Sequence, residues 1–425
     1  MGHGQLSAGR CLAATALCLV VALAACGGGG QKIQALPGSI CSPVAQGEDA
    51  PEVLVVSDLP LRGAFRPTTT QMVRAIRDAI ERRGFRAGDH ALGYQSCDDS
   101  SAEEGNFTPG RCAANMREFA GNTKVVGVIG PFNSQCAQFE IPIANRALQG
   151  PLAMISPSNT GTGLTRAGPG TAAGEPGRYY PTGARNYVRI VASDEAQAAV
   201  LALVARDAGA RRLFVLDDGD EGYGAPLARS VRAAVTRTRL QLAGSARYDP
   251  RGRSFGHIAR RVKRSGADAV AIVGLWQAGG TAVVEDLRAA LGERVRLLAP
   301  DGFASLPARE AAGAQGLLVM APGLPPERLR PNGKEIVRRF GAGQLPGLGP
   351  PYAAQAAEVL LDAIAASDGN RASVTRRLLA AQVDGSVLGP IDFDTNGDIA
   401  AKSVSVYRVT RDGLALRDVV TAPNR

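Results

Sequence analysis

Short apolar runs rich in Val, Ile and Leu alternate with longer segments whose apolar residues recur every three or four positions, and no other feature of the chain narrows the fold as much. Residues 53–57 open the series as a strand. In 69–83, Met72, Ile76 and Ile80 fall on one helical face. Strands at 91–95, 125–129 and 151–156 follow, with helices at 112–120 and around 141–148. Parallel neighbours need a helical crossover between them, so this order implies mostly parallel sheets covered by helices on both faces. A stretch from 158 to 183, rich in Gly, Thr and Pro and without a period, reads as a surface excursion or a functional loop. The rhythm then resumes, with helices at 195–208, 226–236, 254–265 and 281–291 and strands at 212–216, 269–273 and 295–299. A strand at 317–320, helices near 334–340 and 352–367, and a β-hairpin joining 391–393 to 404–409 around Asn396-Gly397 complete it. At 425 residues the chain exceeds what one core usually supports, so two α/β lobes are expected.

The N-terminus states a location. Arg10 supplies positive charge, 11–23 form an apolar run too short to span a bilayer, and Leu23-Ala24-Ala25-Cys26 closes it with small residues before a cysteine. The order resembles a lipoprotein signal peptide (1–25) with its lipobox, so Cys26 is expected to be the acylated first residue of the mature chain, attached to a membrane but not spanning it. A segment rich in Gly, Pro, Ser and Gln, 26–50, reads as a flexible stalk. Cys41, Cys97, Cys112 and Cys136 remain, an even number in an exported chain, and imply disulfides. Cys97 and Cys136 lie just beyond consecutive predicted strands whose ends would sit side by side, which predicts their pairing and leaves Cys41 for Cys112.

Several chemistries lack their parts. The net charge is +9, but the arginines are dispersed without aromatic interleaving, so no nucleic-acid partner is expected. The cysteine spacing lacks the short paired intervals of zinc sites, and the chain has 3 histidines, so no metal or cofactor is assigned. Asp392 to Asp398 fits the start of a calcium loop, but its twelfth position is Ser403 where the closing glutamate belongs, and its flanks read as strands. Without a Gly-x-Ser-x-Gly elbow, dinucleotide fingerprint or P-loop, the chain does not read as an enzyme. Asp217, Asp218, Asp220 and Glu221 follow a strand in a Gly-containing loop and read as a solvated turn.

Two strand ends carry more. "VVGVIGPFNS" (125–134) is a buried strand opening through a glycine loop into a helix, where backbone N–H groups and a serine hydroxyl can meet an anion. "PLAMISPSNTGTGLT" (151–165) repeats the arrangement, and two such loops can clamp one carboxylate. Together with "DDGDEGYG" (217–224) and "VLGPIDFDTNGD" (387–398), these motifs resemble the leucine/isoleucine/valine-binding protein family, solute receptors of ABC importers, in order and spacing from about 52 to 409. The resemblance implies a two-lobed type I periplasmic binding protein, each lobe a mostly parallel sheet flanked by helices, with three interlobe crossings: 51–189 plus 322–382, and 190–321 plus 383–425. It implies that Ser134, Ser158 and Thr160 hold a ligand α-carboxylate from the first lobe, that Tyr223 faces it from the second, and that Asp301 pairs with the α-ammonium. Trp276 and Gln277 fall where the family places an aromatic residue, although "GLWQAGG" (274–280) departs from the family pattern. "SDLPLRGAFRP" (57–67) departs too, bringing Leu61 and Arg62 toward the pocket mouth. The implied function is capture of an amino acid or related small carboxylate by hinge closure and delivery to an ABC permease; the alternative is a sensing module without transport.

Overall fold

A computed structural model describes Met1 and residues 33–104, 106–343 and 347–423, those from 33 onward forming one compact unit; the rest of the expected signal peptide and Cys26 lie outside the described residues. The first sheet holds β1 (Ala45–Gln46), β2 (Val53–Leu59), β3 (Arg86–Ala87), β4 (His90–Asp98), β5 (Val125–Ile129), β6 (Ala153–Ser156) and β7 (Tyr187–Arg189), in the order β1-β4-β2-β5-β6-β7 with β3 paired to β4. From β4 to β7 every pairing is parallel. All residues of β2 and β5 are buried, as expected of strands covered on both faces by helices. Helices α1 (Arg66–Arg82), α2 (Pro109–Gly121) and α3 (Ser134–Asn145) are crossovers within this sheet.

After β7 the chain crosses to a second sheet through α4 (Asp194–Asp207), β8 (Arg212–Asp217), α5 (Gly224–Thr236), β9 (Gln241–Arg247), α6 (Gly256–Ser265), β10 (Ala269–Val273), α7 (Thr281–Leu291), β11 (Arg296–Ala299) and β12 (Leu318–Pro322). It returns with α8 (Pro331–Phe340), α9 (Pro350–Ala365) and α10 (Arg371–Leu379), which pack on α1, β5 and β6. A short ladder of β13 (Gln382–Val383) and β14 (Ile391–Asp392) precedes the last crossing, to β15 (Ser403–Thr410) and β16 (Gly413–Thr421), which complete the order β16-β15-β12-β11-β10-β8-β9. The architecture is therefore that of a two-lobed type I periplasmic binding protein, with two largely parallel sheets flanked by helices.

The return segment is fastened by Arg371, whose buried guanidinium donates to the carbonyls of Phe119, Ala120, Asn122, Val125 and Leu148. Three of these carbonyls close the C-terminal end of α2, where backbone acceptors lack helical partners.

Four expectations need correction. The pairing of Cys97 with Cys136 is replaced by Cys41–Cys97 and Cys112–Cys136, with Cα separations of 4.0 and 5.5 Å. Cys97 lies near the end of β4 and Cys136 on the helix after β5, but β2 lies between those strands, so consecutive strands in sequence are not neighbours in the sheet. Cys41 bridges directly to Cys97 on the outer side of β4, and α2 packs on α3. The stalk does not extend to residue 50: Leu36 is buried, Cys41 is cross-linked and β1 pairs antiparallel with β4. The hairpin at Asn396-Gly397 shrinks to a single bridge between Phe393 and Ile399, and β15 pairs instead with β16 and β12. Leu61 and Arg62 are tied to Asp98, by a backbone N–H at 2.9 Å and a guanidinium at 3.0 Å, and are not among the residues that line the ligand-sized cavity described below.

Candidate functional site between the two sheets

Strand β5 is followed by Gly130, where φ is +137° and an added Cβ would sit 2.4 Å from the Asp58 carbonyl oxygen, so only glycine fits. The loop that follows enters α3, whose cap residue Asn133 makes no side-chain hydrogen bond to the first-turn N–H groups. The loop after β6 grips it. Ser156 Oγ donates to the Pro131 carbonyl, Ser158 Oγ donates to the Phe132 carbonyl at 2.9 Å, and the Asn159 amide donates to both carbonyls. Gly161 N–H donates to Ser134 Oγ at 3.0 Å, completing the connection.

The three first-lobe hydroxyls are therefore not equivalent. Ser158 has its proton engaged by Phe132, and Thr160 interacts through its side chain with Asp194. Ser134 accepts from Gly161, which leaves its own proton uncommitted by that bond.

From the second sheet, Tyr223 precedes α5 and Asp301 follows β11. Tyr223 donates to Asp301 Oδ1 at 2.5 Å and accepts from Gly302 N–H at 2.9 Å. Asp301 N–H donates to Gln197 Oε1, and Gln197 Nε2 donates to Asp194 Oδ1, so one glutamine links the two buried acids. Burial raises the pKa of Asp301 above the usual carboxylate range against hydrogen bonds from Tyr223 and Gln197 that lower it. Burial, followed by the charge of Asp301, pushes Asp194 up to about 7.

Ser134, Ser158, Thr160, Tyr223, Gln277 and Asp301 line one cavity of about 240 Å³ between the sheets. Trp276 does not line it: its indole N–H donates to Glu310 at 2.7 Å and its ring packs edge-on against Phe303, which places it in the second-lobe core. Gln277, at the exposed rim, donates to Ser305. Across the gap Gln135 donates to Asp220 at 3.3 Å, so side chains of the two lobes already touch at one edge.

Sequence reasoning missed Phe65, Asn106, Phe107, Phe132, Asn133 and Leu348 as lining residues. They come from four separate loops; Phe65 lies within "SDLPLRGAFRP" and Phe132 and Asn133 within "VVGVIGPFNS", but none of the six was assigned to the pocket. Asn133 Oδ1 is buried there without a partner. Behind the cavity wall Asp58, Asp99 and Glu140 are fully buried, with burial as the main cause of the raised pKa of each, Asp58 reaching about 7. Asp99 comes within 4.8 Å of the sulfurs of Cys112 and Cys136, but their disulfide leaves no thiolate to bind a metal.

The loop expected to resemble a calcium site acts at a crossing. Arg189 Nε meets Asp398 Oδ1 at 2.7 Å, and Arg166 Nε holds Asp398 Oδ2 at 2.8 Å while reaching Asp394. Both oxygens of Asp398 are thus held by guanidinium groups.

The periplasmic binding protein family model matches residues 58–414. The chain belongs to that family. Among solved structures it is similar to a leucine binding protein, LivK, from Thermotoga maritima, with 21% identity over 87% of this chain and 99% of that one and a TM-score of 0.71. It is also similar to the branched-chain amino acid transporter substrate binding protein LivJ of Streptococcus pneumoniae, solved with isoleucine, with 15% identity over 87% of this chain and 99% of that one and a TM-score of 0.69. A third likeness is to an ABC transporter solute binding protein of Rhodopseudomonas palustris HaA2, solved with p-hydroxybenzoic acid, with 16% identity over 88% of this chain and 98% of that one and a TM-score of 0.68. No curated protein matches.

Proposed function

We propose that this family member is the solute receptor of an ABC importer, held outside the cytoplasmic membrane by lipid on Cys26, and that it captures a small α-amino acid between its lobes. The related structures divide between amino acids and an aromatic acid, and the charge of the cavity favours the former. Among the described lining residues are two carboxylates, Asp220 and Asp301, and no basic side chain. Asp220 accepts from Gln135 and from Gly222 N–H, whereas Asp301 is buried and has no cationic partner among the described residues. Asp301 without a cation is the observation that carries this reading, because a buried carboxylate is costly until a positive group meets it.

In this mechanism the ligand carboxylate docks on the Ser134 hydroxyl and the first-turn N–H groups of α3, which favour an anion without carrying formal charge. The ammonium meets Asp301, and these contacts, available together only when the lobes are near, stabilise the closed form that the permease recognises. The chemistry is binding, not catalysis.

The test is calorimetric titration of the purified protein with an α-amino acid and with the matching acid that lacks the amine. Asp301→Ala is expected to weaken the amino acid by ~2–5 kcal/mol, roughly 30-fold to several thousand-fold, and to leave the amine-free acid nearly unchanged. Equal losses for both ligands would overturn the assignment of Asp301.

A further inference from the structure

The cavity has a second character besides its carboxylate and ammonium groups. Phe65, from the turn before α1, and Phe132, from the loop before α3, stand with ring centroids 5.1 Å apart and planes tilted by 46°. Phe107 lines the same space, and Leu275 and Leu348 continue the apolar wall. Phe132 is buried and Phe65 and Phe107 are half-buried, so part of the ring surface borders the cavity. Phe65 and Phe107 arise from loops about 40 residues apart yet line the same cavity, and a phenylalanine ring has no polar handle to satisfy.

We propose, resting on the amino-acid reading above, that the solute is an α-amino acid with an aromatic side chain, its ring placed against Phe65, Phe107 and Phe132. Size and chemistry agree. A cavity of about 240 Å³ lies below the ~300–1,000 Å³ usual for drug-sized ligands and suits one amino acid. A third ring added to a tilted pair at about 5 Å meets edges and faces in the arrangements that aromatic quadrupoles prefer, an attraction an aliphatic side chain of similar area lacks. No basic side chain among the described lining residues offers a partner to an acidic ligand side chain. Asp220, the remaining acid, is engaged by Gln135 and Gly222, which leaves a basic ligand side chain without a free counter-charge apart from the Asp301 already assigned to the α-ammonium.

The experiment titrates the purified protein, after removal of co-purified ligand by unfolding and refolding, with phenylalanine, leucine and 4-hydroxybenzoate. Phenylalanine is expected to bind at least tenfold more tightly than leucine, since each favourable ring pair contributes roughly two- to tenfold beyond area burial. Phe65→Leu and Phe107→Leu, which keep an apolar side chain of similar bulk, should each reduce the phenylalanine-to-leucine ratio by about two- to tenfold. Leucine binding as tightly as phenylalanine overturns the aromatic assignment and leaves the amino-acid reading standing. Binding of 4-hydroxybenzoate with neither amino acid, or of none of the three, overturns both.

Discussion

Asp398 and Asp301 are buried alike, at 4% and 5% exposure, and are opposites in how their charge is met. Burial alone would raise the pKa of Asp398, but Arg189 and Arg166 outweigh it and hold the group below the usual carboxylate range. At Asp301 burial prevails, and the hydrogen bonds from Tyr223 and Gln197 only moderate the rise. The first acid is complete within the chain and secures a crossing between the lobes. The second, in the proposed function, is met by the ammonium of the ligand. Burial therefore does not distinguish a structural acid from a functional one; the presence of an internal counter-charge does.

The largest effect that can break this comparison is on stability. Arg189→Met removes the buried partner of Asp398 together with its bonds to the Gly161 carbonyl and the Thr165 hydroxyl, and should lower the unfolding free energy by ~3–5 kcal/mol. Asp301→Asn, which removes a buried charge lacking a cation, should leave stability unchanged or raise it. Urea unfolding of both variants without ligand decides the matter, and a loss at Asp301→Asn equal to that at Arg189→Met would erase the distinction.

A pH series sharpens it. Asp398 has a depressed folded pKa, so its contribution is present above the ordinary value of 3.8 and disappears as pH falls through the lower folded value. Asp194 and Asp301 have raised folded values, so their contribution is full below 3.8 and is lost as pH rises, for Asp194 up to about 7. Asp58 acts in the same direction in the ligand-free protein, so the informative quantity is the difference made by ligand. An ammonium in the cleft favours the ionised acids and displaces their proton. Amino-acid affinity should then fall by up to about tenfold per pH unit once pH drops below the raised pKa of Asp301, with proton release measured by calorimetry in buffers of different ionisation enthalpy. Affinity that stays constant as pH is lowered into the acid range would separate these acids from the ligand.

The sequence-readable part of the molecule is the part whose signal is local. Strands such as Val125–Ile129 and Ala269–Val273 are buried throughout and read as continuous apolar runs. Gln241–Arg247 and Gly413–Thr421 lie at sheet edges with no residue fully buried, so their composition carries no comparable signal, and neither was anticipated. The resemblance pointed to Ser134, Tyr223 and Asp301, each within a few residues of a strand end, and the three line one cavity. The Phe65 and Phe107 wall, the Asp58, Asp99 and Glu140 cluster and the Arg189–Asp398 pair join residues brought together only by tertiary folding, 209 positions apart in the last case. The disulfides teach the same lesson, since their pairing depended on strand order and not on spacing.

The smallest expected effect compares hydroxyls within the first lobe. Ser134 and Ser158 sit on the same cavity wall, but Ser158 donates to Phe132 and binds one loop to the other, whereas Ser134 accepts from Gly161 and retains its proton. Ser134→Ala should therefore weaken ligand by ~0.5–1.5 kcal/mol, about two- to twelvefold. Ser158→Ala leaves the buried Phe132 carbonyl with the Asn159 amide as its remaining donor, so its loss should appear chiefly in the melting temperature. Measuring both variants for affinity and for unfolding separates a hydroxyl that touches the solute from one that shapes the loop around it. If Ser158→Ala costs affinity as much as Ser134→Ala while melting unchanged, then the hydrogen bond to Phe132 does not hold that hydroxyl, and the two serines bind the carboxylate as equals.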